Sequence, residues 1–384
     1  MSYLDKLLQG VEVEWKTLGE VAEIIRGTRV TKRDLISDGI YPVVSGGTGF
    51  MGYINQFNRE ENTITIAQYG TAGYVKWQNE KFWANDVCFC VNPNIDIVEN
   101  RYLYFYLINK QQYLYDISNR TAVPYSIERD KILKLPIPIP PLAIQKEIVR
   151  ILDKFTELTA ELTAELTARK KQYSYYREQL LTFEEGEVEW KTLGEILIKS
   201  YSGSTPLAGN PKYYENGTIP WLRTQEVKFS DIHSTEIFIT DFALKDTSVK
   251  WIPSNCVIIA MSGATAGRSA INKIPLTTNQ HCLCLEINTQ KANYRFVFHW
   301  VSFNYENIKN MGQGARGDLN SSMIKNFKIP IPPLAEQQRI VSILDKFDTL
   351  TTSISEGLPK EIELRKKQYE YYRDLLLTFP LSEL

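Results

Sequence analysis

The sequence predicts an α+β fold: two mixed α/β domains separated by two long antiparallel helices that form an intramolecular coiled coil, with internal pseudo-two-fold symmetry. Three observations support this prediction. Blocks of sequence recur in the second half of the 384-residue chain, and two long segments carry heptad patterns of apolar residues. The segments between these blocks are rich in β-branched and aromatic residues with Gly and Asn turns, a composition typical of sheet.

The repeated blocks lie at the edges of two divergent segments. Residues 12–20 recur unchanged at 187–195, and residues 138–143 recur at 330–335. Further matches pair 152–155 with 344–347, 169–173 with 365–369, and 181–183 with 377–379. Residues 3–8 resemble 372–377, so the chain starts with the tail of a repeat unit, and we expect its two ends to meet in space. One unit of sequence used twice predicts a pseudo-two-fold axis.

The two long repeated segments are predicted to be helices that pair with each other. From Leu142 the apolar residues alternate in steps of three and four, with one stutter between Leu162 and Leu166. Each helix spans about 40 residues, hence roughly 60 Å. Pro359 lies inside the second helix and should kink or restart it near Gly357. The residues expected along the helix pair are Phe155, Leu158, Leu162, Leu166, Tyr173, Phe347, Leu350, Ile354 and Tyr369.

The first helix contains a shorter repeat. Leu-Thr-Ala-Glu starts at Leu158 and again at Leu162, and Leu-Thr-Ala follows at Leu166. High helix propensity of these residues is the simpler explanation. Each added tetrapeptide should nonetheless lengthen the helix by about 6 Å.

Each divergent segment carries a glycine loop. The first contains Gly70, Thr71 and Gly73, and the second contains Gly263, Thr265 and Gly267. Neither loop has the P-loop Lys-Ser/Thr or the Gly-x-Gly-x-x-Gly spacing. Two interpretations stay open: a tight turn, or backbone N–H groups that contact a nucleic-acid phosphate.

Charge in the divergent segments is local. Residues 20–135 contain 13 Lys+Arg and 13 Asp+Glu, and residues 195–328 contain 14 and 10, so neither segment is strongly basic. Loop Arg and Gln side chains can read base edges bidentately, although a solvated surface explains most such residues. The candidates for DNA contact are Arg26, Arg29, Lys32, Arg33, Arg120, Arg223, Arg268, Gln313 and Arg316, together with the six glycine-loop residues above.

Composition and charge exclude several classes of protein. The net charge of −1 argues against a chain that coats nucleic acid non-specifically. No apolar run reaches the length of a membrane span, and the N-terminus lacks an apolar signal core, so we expect a cytoplasmic protein. Four of the five cysteines form the pairs Cys88/Cys90 and Cys282/Cys284. Alternation predicts buried strands at both pairs, and a zinc site built from them is the weaker alternative.

Signatures of catalysis are missing from the sequence. We find no methyltransferase tetrad, no glycine-rich S-adenosylmethionine loop, no Walker motif and no Gly-x-Ser-x-Gly elbow. None of His233, His281 and His299 lies in a recognisable zinc-protease or nuclease pattern. The chain is therefore not expected to be an enzyme by itself, and no metal or cofactor is expected in it.

The whole layout resembles the specificity subunit of type I restriction-modification enzymes. Each divergent segment follows a Glu-Val-Glu-Trp-Lys-Thr-Leu-Gly-Glu block and precedes a Pro-Pro-Leu-Ala block and a long helix. The matching residues are Trp15, Leu18, Gly19, Pro140, Pro141, Leu142 and Gln145, and again Trp190, Leu193, Gly194, Pro332, Pro333, Leu334 and Gln337. The Leu-Thr-Ala-Glu repeat also looks like the spacer repeat of that family.

The resemblance implies a function for each part. Each divergent segment would be a target recognition domain that reads one half of a bipartite DNA site, and the helices would set the gap and dock two methyltransferase subunits. S-adenosylmethionine, and ATP with Mg for restriction, would be bound by partner methyltransferase and restriction subunits. The expected boundaries are 1–14 for a segment completing the repeat, 15–141 and 184–333 for recognition domains, 142–183 and 334–379 for helices, and 380–384 for a tail.

Two other functions fit the sequence less well. A coiled-coil scaffold could carry two protein-binding domains, and a ligand-binding tandem could use the many Trp and Tyr residues. Neither would bind DNA in a salt-sensitive way.

Overall fold

The computed structural model describes residues 3–8, 10–184, 186–312, 317–353 and 355–379. The chain divides into two compact units. Unit 1 comprises residues 1–163 and 361–384, and unit 2 comprises residues 164–360. Among the described residues, no helix combines the length and the apolar character that a bilayer span requires.

Unit 1 contains the first divergent segment and two helical ends. We refer to its part from β1 to β9, residues 14–139, as domain 1. Its elements are α1 (Tyr3–Leu8), β1 (Glu14–Thr17), α2 (Leu18–Val21), β2 (Ala22–Arg26), β3 (Tyr41–Val44), β4 (Phe50–Ile54), β5 (Thr63–Ala67), β6 (Val75–Gln78), β7 (Trp83–Ala84), β8 (Cys88–Pro93), α3 (Asn100–Asn109), α4 (Gln111–Asp116), α5 (Arg129–Leu133), β9 (Pro136–Ile139) and the start of α6 (Leu142–Leu181). A last helix, Leu358–Leu377, closes the unit.

Unit 2 repeats this order and adds one strand to the main sheet. We refer to its part from β10 to β19, residues 189–331, as domain 2. Its elements are β10 (Glu189–Thr192), β11 (Leu197–Ser202), α7 (Pro211–Tyr214), β12 (Ile219–Leu222), β13 (Asp231–Ile232), β14 (Ile237–Ile239), α8 (Asp241–Asp246), β15 (Val257–Ala260), β16 (Ser269–Asn272), β17 (Thr277–Thr278), β18 (Cys282–Ile287), α9 (Tyr294–Phe303), α10 (Tyr305–Asn310), α11 (Ser321–Lys325), β19 (Lys328–Ile331) and α12 (Leu334–Thr352). The helix Leu358–Leu377 is α13 in this numbering.

Each domain is built from a main sheet and a small one. Domain 1 has a four-stranded sheet in the order β2-β8-β5-β6 and a three-stranded sheet β4-β3-β7. Domain 2 has a five-stranded sheet β11-β18-β15-β16-β13 and a three-stranded sheet β14-β12-β17. The mixed α/β character predicted for both segments is therefore confirmed. The two domains share one strand order despite their divergent sequences, and domain 2 adds the edge strand β13 beside β16.

The cysteine pairs lie in the central strands of the main sheets. Cys88 and Cys90 are in β8, Cys282 and Cys284 are in β18, and all four side chains are at most 2% exposed. Burial raises the pKa of the Cys284 and Cys282 thiols, as expected for neutral groups in an apolar environment. The prediction of buried strands is confirmed.

A two-stranded ladder leads each domain into its helix. β1 pairs antiparallel with β9, with Trp15 opposite Pro138, and β10 pairs with β19, with Trp190 opposite Pro330. Proline cannot donate to a ladder and is confined to strand edges, so both ladders stay two strands wide. Two prolines then follow, and the helix begins at the next residue, Leu142 or Leu334.

The first long helix is continuous and the second is not. α6 runs for 40 residues, as its heptad pattern predicts, whereas α12 ends at Thr352 and α13 restarts at Leu358. Gly357 has φ +84°, and a Cβ there would lie 2.3 Å from the carbonyl oxygen of Thr349, so only glycine fits this link. The expected restart near Gly357 and Pro359 is confirmed.

The long helices pack in reverse order along the chain. In unit 1, Ile148 and Leu152 of α6 belong to the same buried cluster as Leu376 of α13. In unit 2, Leu181 of α6 is buried in a cluster with Ile340 of α12. The start of α6 therefore contacts the last helix and its end contacts the earlier one, which is the order of an antiparallel pair.

Candidate nucleic-acid interface

The first glycine loop is a tight turn held by its neighbours. The amide of Gly70 donates to the carbonyl of Tyr125 at 3.0 Å, and the amide of Thr71 donates to Gly46 O at 2.9 Å. The Thr71 hydroxyl donates to the same oxygen at 2.7 Å, and the Gly73 amide donates to Ala67 O at 2.8 Å. These N–H groups already have partners within the fold, which favours the interpretation as a tight turn. Their hydrogen bonds join the glycine loop to the backbone at Gly46 and at Tyr125.

The second glycine loop is also a turn. Gly263–Thr265 form a single 3-10 turn, and the Gly267 amide donates to Ala260 O at 2.8 Å. The amide of Arg268 donates to Thr265 O at 2.9 Å. The Arg268 guanidinium has no partner among the described residues, so it remains a candidate for DNA contact.

Two of the candidate arginines serve the fold. Arg26 donates from Nε to the Asp86 carbonyl at 2.6 Å and from Nη2 to Gln68 Oε1 at 2.7 Å. Arg223 donates from Nη2 to Glu236 at 2.8 Å, with Glu226 3.7 Å from its Nε. Both guanidinium groups are occupied by protein acceptors, which sequence reasoning could not foresee.

Three other cations project freely from one loop of domain 1. Arg29, Lys32 and Arg33 are exposed, and their charged groups have no partner among the described residues. Asp34 faces its own loop: the Thr31 amide and then the Thr31 hydroxyl hold the pKa of the Asp34 carboxyl below its ordinary value.

Hydrogen bonds with Asn85 and Trp83 hold the base of this loop in place. Asn85 accepts from the Val30 amide at 2.9 Å and donates to the Val30 carbonyl at 3.2 Å, and the Trp83 indole donates to Thr28 O at 2.7 Å. A loop that is anchored at its base by hydrogen bonds and carries three free positive charges is suited to contact phosphates and base edges.

A second projection of domain 1 carries Arg120. Its guanidinium carbon lies 4.9 Å from the Tyr115 ring and 5.1 Å from the Tyr125 ring. Bridges from Ser126 to Asn119 and Tyr69 close the base of this projection, and Val123 near its tip is 98% exposed. Stacking between two rings fixes the direction of the Arg120 side chain and leaves most of its N–H donors unused. The corresponding residues of domain 2, Gln313 and Arg316, lie outside the described residues.

Each domain is locked to its long helix by a buried glutamine. Gln145 donates to Pro140 O at 2.8 Å and to Ile97 O at 3.1 Å, and it accepts from the Glu99 amide at 2.8 Å. Gln337 donates to Pro332 O at 2.8 Å and accepts from the Asn293 amide at 2.8 Å. Both side chains are completely buried. The sequence identified these glutamines only as residues that match the motif of the family it resembles.

A second joint between domain and helix was missed by sequence reasoning. Arg101, the second residue of α3, donates from Nε and Nη2 to Asp153 Oδ1 at 2.9 and 2.8 Å. Arg295, the second residue of α9, has its Nε 2.7 Å from Asp345 Oδ2. Both aspartates belong to the repeated Leu-Asp-Lys-Phe block, which was the available signal.

In unit 2 this joint contains a buried histidine. His299 Nε2 lies 2.7 Å from Asp345 Oδ1, and Nδ1 lies 3.9 Å from Asp348. Burial opposes the charge on Asp345, but the bonds from His299 and Arg295 prevail, so its pKa is lowered. Burial raises the pKa of Asp348, although nearby His299 and a hydrogen bond from Tyr173 oppose the shift.

This cluster has the atom types of a metal site. The ligand atoms of His299, Asp345 and Asp348 lie within 4.8 Å of one another. Arg295 already neutralises Asp345 and would repel a cation. The arrangement is better described as an ionic joint between α9 and α12.

Aromatic stacking joins the helices in both units. Phe155 stacks on Tyr372 at 5.2 Å in unit 1, and Phe347 stacks on Tyr173 at 5.6 Å and on Tyr176 at 5.7 Å in unit 2. Tyr369 packs against the buried core of unit 1. The remaining expected positions, Leu158, Leu162, Leu166 and Leu350, are half-buried, and Ile354 lies outside the described residues.

These features define a class of protein: two divergent domains with projecting basic loops, each fastened by a buried glutamine to long paired helices. Comparison with known proteins agrees. The family described as type I restriction modification DNA specificity domain matches residues 10–169 and 185–364. The specificity subunit of the Escherichia coli type I restriction enzyme EcoR124I/EcoR124II is 41% identical over 100% of this chain and 98% of its own. A putative type I restriction enzyme specificity subunit of Haemophilus influenzae is 35% identical over 98% of both chains.

Solved structures show the same fold. The S subunit of a type I restriction-modification system from M. genitalium has a TM-score of 0.68 at 18% identity, covering 97% of both chains. The HsdS subunit from Thermoanaerobacter tengcongensis has a TM-score of 0.51 at 15% identity, covering 96% of this chain and 99% of that one.

The chain therefore belongs to the family of type I restriction-modification specificity subunits. It is a DNA sequence-recognition subunit and not itself the catalytic one. The resemblance identified from the sequence is confirmed, and nothing supports the scaffold alternative.

Proposed function

We propose that this chain reads an asymmetric bipartite DNA site, with domain 1 and domain 2 each recognising one half-site. One observation carries the proposal: buried glutamines at matching helix positions, Gln145 and Gln337, hold two domains that share a strand order but differ in sequence and in their loops. Two domains that are attached to the helices in a similar way but differ in sequence suit two unlike half-sites on one duplex. The domain boundaries expected from the sequence, 15–141 and 184–333, belong to this proposal.

The DNA contacts proposed for domain 1 come from its two projections. Arg29, Lys32 and Arg33 supply free charges, and Arg120 supplies an oriented guanidinium. In domain 2, Arg268 is the described residue with a free guanidinium, and Gln313 and Arg316 complete the set. We propose that Arg26, Arg223 and the glycine-loop residues 70, 71, 73, 263, 265 and 267 support these contacts from within the fold.

The proposed partners follow from the family. Two methyltransferase subunits would dock on the helices and bind S-adenosylmethionine, restriction subunits would supply the ATP- and Mg-dependent nuclease, and the assembly would work in the cytoplasm. The chain carries 44 Lys+Arg against 45 Asp+Glu, so we expect it to bind DNA weakly alone and tightly in the complex.

Methylome sequencing of strains with and without this chain tests the proposal. The expected result is one methylated bipartite motif, with unlike halves and a fixed gap, that disappears with the chain. Methylation that does not depend on the chain would contradict the proposal.

A deletion of residues 162–165 tests the role of the helix as a spacer. The loss of about 6 Å of helix corresponds to between one and two base pairs at roughly 3.4 Å each. The methylated motif should keep both halves and lose one or two base pairs of gap. Changed half-sites with an unchanged gap would contradict this expectation.

The substitution K32A tests the loop that carries Arg29, Lys32 and Arg33. The complex should lose affinity by a similar factor for all sequences, and the slope of log K against log salt should fall by about 1. Substitution of exposed Lys146 on α6 is the matched control, and an equal effect there would contradict a specific role for the loop.

A further inference from the structure

Each domain meets its long helix at two separate points. The first is the buried glutamine, and the second is the Arg–Asp pair about two turns further along the helix. We propose that Arg101–Asp153 and Arg295–Asp345 set the tilt of each domain on its helix, and that the enzyme's discrimination between spacer lengths depends on them. This inference rests on the proposed function.

In unit 1 the arginine is held on every side. Its N–H groups bind Asp153 Oδ1 at 2.8 and 2.9 Å. Its guanidinium carbon lies 4.6 Å from the Trp77 ring, 4.9 Å from the Tyr104 ring and 4.8 Å from the Phe105 ring. A planar guanidinium can stack on rings and bind a carboxylate at once, and a lysine cannot. The pair therefore has one geometry rather than a range.

Unit 2 builds the same joint from other neighbours. Arg295 approaches Asp345 at 2.7 Å and also lies 3.1 Å from both carboxylate oxygens of Asp231. His299 binds the second oxygen of Asp345. The Arg–Asp pair thus recurs at matching positions in two domains whose other contacts there have diverged, which indicates a shared task.

The distance between the two attachment points explains why the Arg–Asp pair would affect the gap between half-sites. Gln145 and Asp153 are eight residues apart on α6, so the two attachments are separated by about 12 Å. A single attachment allows a domain to pivot, whereas two attachments at that distance fix its tilt. A domain is about 30 Å across, so a tilt of about 6° moves its far edge by about 3 Å. That shift nearly equals the roughly 3.4 Å rise of one base pair.

The role is one of positioning rather than of support. The Asp153 side chain is 43% exposed, and partly exposed ion pairs contribute little to stability. Removing the Asp153 charge should therefore leave the chain folded and its base-reading loops intact. What changes is the angle at which the loops meet DNA.

The test uses the full chain in complex with its methyltransferase subunits. Methylation rates are measured on duplexes with the native half-sites and a gap that is native, one base pair shorter or one longer. For D153N, and separately for D345N, the preference for the native gap should fall by about tenfold or move to a neighbouring gap, while rejection of half-site mismatches stays as in the wild type. R101K provides a second variant if D153N does not fold.

The matched control is E147Q, which removes the exposed ion pair between Glu147 and Arg150 on α6 itself. It should leave the gap preference unchanged. An unchanged preference in D153N and R101K overturns the inference, as does an equal loss of gap and half-site discrimination, which would indicate general loosening. If the wild-type complex shows no bipartite preference, the proposed function itself fails, and this result is distinguishable because it precedes any variant.

Discussion

Units 1 and 2 fasten their domains to the helices in much the same way at one point and differently at another. The glutamine locks share two bonds: the amide of Glu99 or Asn293 donates to the side-chain oxygen at 2.8 Å, and the side-chain nitrogen donates to Pro140 O or Pro332 O at 2.8 Å. Gln145 adds a bond to Ile97 O at 3.1 Å. At the second joint, the sixth residue of the packing helix is Phe105 in unit 1 and His299 in unit 2. Unit 1 thus surrounds its arginine with rings, and unit 2 surrounds it with charges.

The difference shows which contacts the duplicated architecture requires. The glutamine lock is made with backbone groups, which persist when side chains change, so it can be identical under divergent domains. The surroundings of the Arg–Asp pair are made of domain side chains and change with the domain. Removal of the glutamine should therefore have similar effects on stability in both units. Exchange of the side chain beside the Arg–Asp pair should have different effects in the two units.

The largest effect is expected from Q145A and Q337A. Each removes a completely buried side chain and leaves an amide and at least one carbonyl without a partner, at a cost of about 3 kcal/mol in the free energy of unfolding. Urea denaturation of both variants measures the loss. K346A, at an exposed position of α12, should cost less than about 0.5 kcal/mol. Because Gln145 has the additional bond to Ile97 O, a clearly larger loss in Q337A than in Q145A would show that the shared bonds are not equivalent.

The exchange of the sixth helix residue should give unequal results. F105H places an imidazole in an apolar site that is 1% exposed and removes one of the three rings that contact Arg101, so we expect a loss of about 3 kcal/mol. H299F removes one bond to Asp345, which keeps Arg295, so we expect about 1–2 kcal/mol.

Chemical denaturation of the two variants beside F105L tests this asymmetry. F105L keeps the site apolar and should cost less than about 1.5 kcal/mol. An H299F loss as large as that of F105H would show that the histidine joint is as indispensable as the aromatic one.

Much of the helical architecture could be predicted from local patterns. The heptads that begin at Leu142 predict α6, and Gly357 with Pro359 predicts the restart of the second helix. Alternation around Cys88 and Cys282 predicts buried strands. These features depend on neighbours in sequence, so a single chain is enough to read them.

The contacts of the site could not be predicted because they join distant residues. Arg101 and Asp153 are 52 positions apart, and nothing local marks them as a pair. The sequence predicts a free Arg26 side chain, but in the fold it donates to Gln68 and to the Asp86 carbonyl. The sequence leaves the Thr71 amide available, but in the fold it donates to the carbonyl of Gly46. Long-range packing decides which donors remain free, and sequence spacing alone does not report it.

The smallest effect concerns Asp348, which has Thr156 at its matching position in unit 1. Burial raises the pKa of the Asp348 carboxyl above its ordinary 3.8. The folded state therefore favours the neutral acid, and the stability that this group contributes is present at pH below 3.8 and is lost as the pH rises through the raised value. At pH above the raised value, a charged carboxylate is held in a half-buried site.

D348N should relieve that cost without disturbing the joint. An asparagine oxygen can accept the Tyr173 hydrogen bond, and His299, Arg295 and Asp345 are common to both proteins. The lowered pKa of Asp345 keeps it charged down to acid pH in both. Relative to the wild type, D348N should gain up to about 1 kcal/mol at pH 7 and less at pH 4. Thermal unfolding at the two pH values measures the difference, with E178Q at an exposed position of α6 as the control. A gain that is equal at both pH values, or larger at pH 4, would mean that the half-buried charge of Asp348 is stabilised by His299 and that unit 2 depends on the full ionic joint.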